Sequence, residues 1–177
     1  VAFLDILGFK NMVHWSAQDG QALKTINKAL DYISDVQRDN YEGHMPLADF
    51  GKQVSVFSDS IVISYKMTTP GGGFFVLLDL IHICNALLSV GMPVRGGVTV
   101  GMLIHENNKC FGPAMVEAYL MESKQAIYPR IVVNPKVIEY DLIYKGKSNT
   151  VEYEQECLES LIATDDGDGL LYLDYLS

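Results

Sequence analysis

Asp5 and Asp59 are the residues of this chain with the clearest chemical possibilities, because each is an acid set among apolar neighbours. Val1-Ala2-Phe3-Leu4-Asp5-Ile6-Leu7-Gly8-Phe9-Lys10 reads as a buried strand that ends in a carboxylate beside a glycine turn. Residues 54–65 read as two strands folded back at Ser58-Asp59-Ser60. A buried carboxylate is destabilising by several kcal/mol unless a cation or hydrogen bonds meet it. Two of them at neighbouring strand ends supply the hard oxygen donors that Mg2+ or Mn2+ prefers, and the chemistry this allows is two-metal phosphoryl transfer. A tight turn or a helix N-cap also uses aspartate, so each residue alone has a plain structural reading. The pair is the more specific signal.

The remaining chemical residues narrow the field. Arg95 opens the run Val94-Arg95-Gly96-Gly97-Val98-Thr99-Val100-Gly101, whose glycines let another group approach the backbone. Pro70-Gly71-Gly72-Gly73 lacks the Lys-Ser/Thr ending of a P-loop and reads as a flexible connection. His82 has no histidine or carboxylate at i+4, so a hydrogen-bonded core histidine is the simpler reading. The three cysteines, Cys84, Cys110 and Cys157, fit neither a C-x-x-C spacing nor a disulfide framework, which points to a reducing cytoplasm. Asp165-Asp166-Gly167-Asp168-Gly169 is an acidic turn that does not continue as a calcium loop.

The elements that must position these residues follow from periodicity and turn signals. The chain has 177 residues, 49% hydrophobic and 20% charged, enough to build one ordinary domain over 1–177 with a proper core. A net charge of −9 speaks against nucleic acid or an acidic membrane as partner. The longest apolar stretch, 74–90, carries Asp79, His82 and Asn85 and reads as a covered helix, too short and too polar to span a bilayer. The opening on Val1 inside a strand suggests that a short leader is absent. Leu23, Ile26, Leu30, Ile33 and Val36 recur at threes and fours and predict an amphipathic helix over 21–38. A loop is expected over 41–52, a strand over 94–101 continuing through 102–105, and a polar loop over 106–109. A helix from Pro113 follows, stopped at Tyr128-Pro129-Arg130, with Glu117, Met121 and Lys124 on one face. A strand over 131–133, a short helix over 135–140, a turn over 144–150, an acidic amphipathic helix or loop edge over 154–161 and a closing strand over 170–176 complete the order. That order predicts an α+β sandwich of the ferredoxin-like group, with helices packed on a largely antiparallel sheet.

With these elements in line, the chain resembles the class III nucleotidyl cyclases. Phe3-Leu4-Asp5-Ile6-Leu7-Gly8-Phe9 is similar to their first metal motif, Phe57-Ser58-Asp59 stands where their second metal aspartate lies, usually preceded by glycine, and Arg95-Gly96-Gly97-Val98-Thr99-Val100-Gly101 resembles their arginine strand. Phe111-Gly112 before the Pro113 helix resembles their dimer-interface helix, and Leu171 to Leu176 their closing strand. The departures lie in purine reading. Ser55 and Lys109 replace the lysine and aspartate that read adenine, Glu117 and Met121 stand for the Asn/Arg pair of the interface helix, and the phosphate lysine before the last strand is missing. That combination looks most like the pyrimidine (uridylate or cytidylate) cyclases of bacterial Pycsar antiphage defence.

The resemblance implies a ferredoxin-like class III cyclase fold and conversion of UTP, favoured over CTP, to cyclic UMP or cyclic CMP plus pyrophosphate. The product would act as an alarm for a separate cyclic-nucleotide effector protein. Asp5, Asp59 and the Ile6 carbonyl would hold two Mg2+ or Mn2+ ions about 3.5 to 4 Å apart. Amides of Leu7, Gly8, Phe9 and Lys10 would meet the triphosphate, as a turn at a helix N-terminus does. Arg95 would offset charge on the leaving group, and Ser55, Lys109 and Glu117 are the expected base or ribose contacts. Metals held by one subunit and base contacts by the other imply a homodimer with active sites at the interface. A conventional adenylate or guanylate cyclase, and an inactive cyclase-like module that only binds nucleotide, are the other readings.

Overall fold

The computed structural model describes residues 1–38, 51–106 and 109–176. The chain runs β1 (Ala2–Ile6), α1 (Phe9–Ser16), α2 (Gly20–Arg38), β2 (Gln53–Phe57), β3 (Ser60–Ser64), α3 (Gly72–Ser89), β4 (Val94–Val98), β5 (Ile104–Glu106), β6 (Lys109–Phe111) and α4 (Pro113–Lys124). It closes with β7 (Ile131–Val133), α5 (Lys136–Ile143), α6 (Val151–Glu159), β8 (Ile162–Thr164) and β9 (Leu171–Leu173). Seven strands form one sheet in the order β2-β3-β1-β4-β7-β9-β8, and β5 and β6 form a separate two-stranded ribbon. Every neighbouring pair in the large sheet is antiparallel except β4 and β7. The architecture is therefore mixed α+β, a mostly antiparallel sheet flanked by helices.

Strand alternation divides the core in two. Leu4, Ile6, Ile61, Ile63, Val94, Val98, Ile131 and Val133 share one face and pack against Ile26 and Ile33 of α2 and Leu77 and Leu80 of α3. Phe3 and Val62 share the opposite face, where Ala118 of α4 covers them, and Met121 of α4 covers Val132. Helix α4 comes unusually close to the sheet because Gly97 lies beneath it: a Cβ at that position would stand 2.5 Å from the Met121 Cβ. Buried in the middle of the sheet on both sides, β1 carries Asp5 outward from under α4 to a partly open edge of that same face.

Several expectations need correction. The strand over 94–101 ends at Val98, and the residues after it do not extend it; Ile104–Glu106 turns away and pairs with Lys109–Phe111. Residues 107 and 108 of the expected polar loop, and 41–50 of the expected 41–52 loop, lie outside the described residues. What reads as a simple turn after Gly8 is the start of α1, with Gly8 at φ 78 as its N-cap. The Pro113 helix ends at Lys124, ahead of the expected stop. Residues 162–164 form β8, which hairpins onto a closing strand shortened to Leu171–Leu173. Leu23 of the α2 stripe is exposed, while Ile26, Ile33 and Val36 are buried.

Among the described residues α3 alone has the length and composition to cross a bilayer, contrary to the sequence expectation. Its apolar surface is used within the fold, where Val76, Leu77, Leu80, Ile83, Cys84 and Leu87 are buried. Asp79 on the same helix meets Lys52 at 2.9 Å and accepts from the Tyr65 hydroxyl at 2.6 Å, so its charge is answered inside the protein.

Candidate active site

Register alone assembles the centre of the site. Asp5 on β1 sits opposite Ser60 of β3 on one side and opposite Arg95 of β4 on the other, so the three lie in a row across the α4 face. Asp59 precedes Ser60 in the tight turn between β2 and β3, and the Ile6 amide donates to the Asp59 carbonyl at 3.0 Å, which ties that turn to the end of β1. The turn bends through Ser58 at φ 58, a left-handed conformation that glycine adopts most easily, and in the resembled family glycine is the usual residue there.

The electrostatics match this crowding. Burial first, and the charge of Asp59 second, raise the Asp5 carboxyl above its ordinary range, with Arg95 acting in the opposite sense. A carboxylate pair that repels itself in this way is relieved by a divalent cation, and both residues offer only hard oxygen atoms. Among the described residues no three of His, Cys, Asp and Glu gather into a closed metal cage. Mg2+ does not require one, since it is commonly bound by one or two carboxylates with water and substrate phosphates completing its shell. The donor set therefore fits Mg2+ or Mn2+ bound together with a phosphorylated ligand. Ile6 is 2% exposed with its side chain in the core, so its main chain is the only part that could contribute.

Arg95 has a second partner that the sequence did not indicate. Its Nε lies 2.5 Å from Glu122 Oε1 on α4 and 3.7 Å from Asp5 Oδ2. Neither Nε nor Oε1 has a hydrogen bond, so the 2.5 Å approach is a charge contact and not an aligned bond. Glu122 is 3% exposed, and burial raises its carboxyl above the usual range while Arg95 pulls it down. An acid in a helix usually faces water, which hid this one. The available signal was its place on the stripe Ala114, Ala118, Glu122, whose small residues let α4 seat closely on Gly97, two residues from Arg95.

The glycine turn is partly committed. The Leu7 amide donates to the Pro93 carbonyl at 2.9 Å, so it is not available to a ligand as expected. Gly8, Phe9 and Lys10 open α1, where the first amides have no intrahelical acceptor.

The expected base contacts lie on three other elements, Ser55 on β2, Lys109 on β6 and Glu117 on α4. Ser55 is 6% exposed and its hydroxyl is 2.8 Å from His105 Nε2, while Ser64 meets His105 Nδ1 at 2.8 Å. Those bonds pin the ribbon that carries exposed Lys109 onto the outer strands of the sheet. Burial lowers the His105 pKa, favouring the neutral ring between its two serines. Glu117 accepts from Thr99 Oγ1 and Asn134 Nδ2, each at 3.0 Å, at the end of β4 remote from Arg95. By strand spacing Ser55 is about 12 Å from Asp5, and Thr99 is about 13 Å from Arg95. Within one chain the two sets do not meet. Met121 is 4% exposed and packed over Gly97, while Val116, Tyr119 and Leu120 are the apolar residues that α4 leaves exposed.

No family model matches the chain, and no curated protein matches it.

Proposed function

We propose that this chain is a pyrimidine nucleotide cyclase with a class III cyclase fold, acting on UTP in preference to CTP and releasing cyclic UMP (or cyclic CMP) and pyrophosphate. The observation that carries the reading is the row Ser60, Asp5, Arg95 with Asp59 at its end, two acids and a cation converging from three strands on one open face.

Asp5 and Asp59, with the Ile6 carbonyl, are the groups that would hold Mg2+ or Mn2+. Such ions, when bound, make the ribose 3′-hydroxyl a better nucleophile and offset charge on the phosphates. The 3′-oxygen forms a bond to the α-phosphorus, the bond from that phosphorus to the bridging oxygen breaks, the hydroxyl proton is lost to solvent, and pyrophosphate departs. Arg95 contributes here by binding the departing oxygens; Nε is engaged by carboxylates, and a guanidinium still has its forked terminal nitrogens for phosphate. The amides of Gly8, Phe9 and Lys10 add a helix N-terminus for the same charge.

The separation of Ser55, Lys109 and Glu117 from Asp5 supports a homodimer in which one subunit reads base and ribose while the other handles the phosphates. The exposed apolar groups Phe57, Phe111, Val116, Tyr119 and Leu120 suit that role. Nucleic acid and an acidic membrane are disfavoured as partners, because the net charge of −9 repels polyanions. The product would serve as a cytoplasmic antiphage signal, sensed by a separate effector protein. Glu117 and Met121 stand where the resemblance implies an Asn/Arg pair, Glu117 bonded to Thr99 and Asn134 and Met121 buried, and this favours a second reading, a nucleotide-binding module without turnover.

The test is incubation of the purified protein with each of the four nucleoside triphosphates and Mn2+, followed by mass analysis. Cyclic UMP or cyclic CMP supports the proposal, cyclic purine nucleotides would assign it to a conventional cyclase, and nucleotide binding with no cyclic product would establish the inactive module.

A further inference from the structure

Arg95 stands between two carboxylates that it cannot serve equally. Glu122 Oε1 is 2.5 Å from its Nε and Asp5 Oδ2 is 3.7 Å away. The nearer acid is also the deeper one, with a side chain 4% exposed against 25% for Asp5, so water screens it less. Glu122 cannot retreat, since α4 is seated on Gly97 with no room for even a methyl group between them. Arg95 is also held by its place on β4, directly across from Asp5.

We propose that Glu122 is a positioning residue that draws Arg95 toward α4 and away from Asp5, leaving the Asp5 carboxylate open to a divalent cation. This rests on the reading of Asp5 as a metal ligand. A guanidinium and a divalent cation compete for one carboxylate, because each needs the same lone pairs and the two repel each other. With Glu122 neutralised, Asp5 is the remaining acid within 4 Å of Arg95 among the described residues, and the arginine closes on it. Glu122 thus acts on metal binding through Arg95 and not by touching the ion.

The experiment is a double-mutant cycle on Mn2+ binding alone, read by loss of the free-ion electron paramagnetic resonance signal, with Glu122→Gln, Arg95→Gln and the double variant beside the wild type. Glu122→Gln is expected to weaken Mn2+ binding about tenfold, in the range of losses seen when groups that orient metal ligands are removed. In the Arg95→Gln background the same change is expected to have little further effect. An equal loss in both backgrounds would mean that Glu122 acts only as a distant negative charge, and no loss in either would mean that it does not act at all; both results overturn the proposal. Wild-type binding no tighter than that of Asp5→Asn would overturn the metal reading of Asp5 itself, a failure distinct from an uncoupled cycle. Should Glu122→Gln not fold, Glu122→Asp keeps the charge on a shorter arm and is expected to give a smaller loss, again only when Arg95 is present.

Discussion

At the scale of single residues the site sets stability against chemistry. Burial and the neighbouring Asp59 charge hold the Asp5 carboxyl above its ordinary value of 3.8. The folded protein therefore binds that proton more tightly than the unfolded chain, so this contribution is complete below the unfolded pKa and is lost as pH rises through the folded one. At neutral pH a charged Asp5 weakens the fold. Asp5→Asn is expected to raise Tm by a few degrees at pH 8, with a smaller gain at pH 5, and, on the proposed cyclase function, to abolish cyclisation. A lower Tm at pH 8 would mean that Arg95 stabilises the charged acid more than its surroundings penalise it. Asp5, Asp59 and Arg95 were legible in the sequence because charged residues next to apolar strands must be answered by something. Glu122 was not read, since its only signal was its place in line with Ala114 and Ala118, and a helical acid ordinarily faces water. Ser55 was legible as a residue but not in its partner, because His105 lies 50 positions away and is brought in by a ribbon of two three-residue strands.

At the scale of elements, long periodic segments announced themselves and short ones did not. Helix α2 and the β2 and β3 hairpin carry repeating apolar positions that a reader of sequence can count. Helix α1 has no Ser, Thr, Asp or Asn cap, only Gly8 in a left-handed conformation, and β8 is three residues long and half exposed, too little to show alternation. The close seating of α4 makes a sharp prediction. Gly97→Val would drive a branched side chain into Met121 and the Ala118 carbonyl, so the helix must lift or the strand bend. The expected loss is about 2 to 3 kcal/mol in urea unfolding, with Mn2+ binding weakened as Glu122 moves away from Arg95. A variant as stable as the wild type would show that α4 is free to slide. A second prediction concerns the start of α3, where the Gly73 amide donates to Asp141 Oδ1 at 2.6 Å. Burial, more than the Glu154 carboxylate beside it, raises Asp141 to about 6. By the same linkage its contribution is present in acid and lost as pH rises from the ordinary 3.8 through about 6. Asp141→Asn keeps an acceptor for Gly73 and gives Glu154 a donor, so Tm is expected to vary less between pH 4 and pH 7 than in the wild type. An unchanged pH profile would mean that Asp141 is not the group that takes up the proton.

At the scale of the whole molecule, the distance between the residues proposed to handle phosphate and those proposed to read the base is the feature that a single chain does not resolve. Ser55 lies on the edge strand β2 and Asp5 in the middle of the sheet, about 12 Å away by strand geometry, and Lys109 lies on the separate ribbon that Ser55 holds through His105. A two-fold partner laid on the α4 face would supply to each Asp5 the residues that its own chain keeps remote, and would cover Phe57, Phe111 and Tyr119, which are 50%, 55% and 50% exposed. Complementation tests this directly. Asp5→Asn removes the phosphate side and Lys109→Ala the base side, and each protein alone is expected to be inactive or nearly so. After mixing, half of the randomly paired dimers are mixed, and in these one site carries both lesions while the other carries none. Activity of about a quarter of the wild-type level is therefore expected, although neither parent has any to give. Reconstitution must also depend on protein concentration, since it requires exchange of subunits. Mixed samples that stay inactive under conditions where exchange is seen by mass would mean that each site is built from one chain, and that the exposed face of α4 meets something other than its own copy.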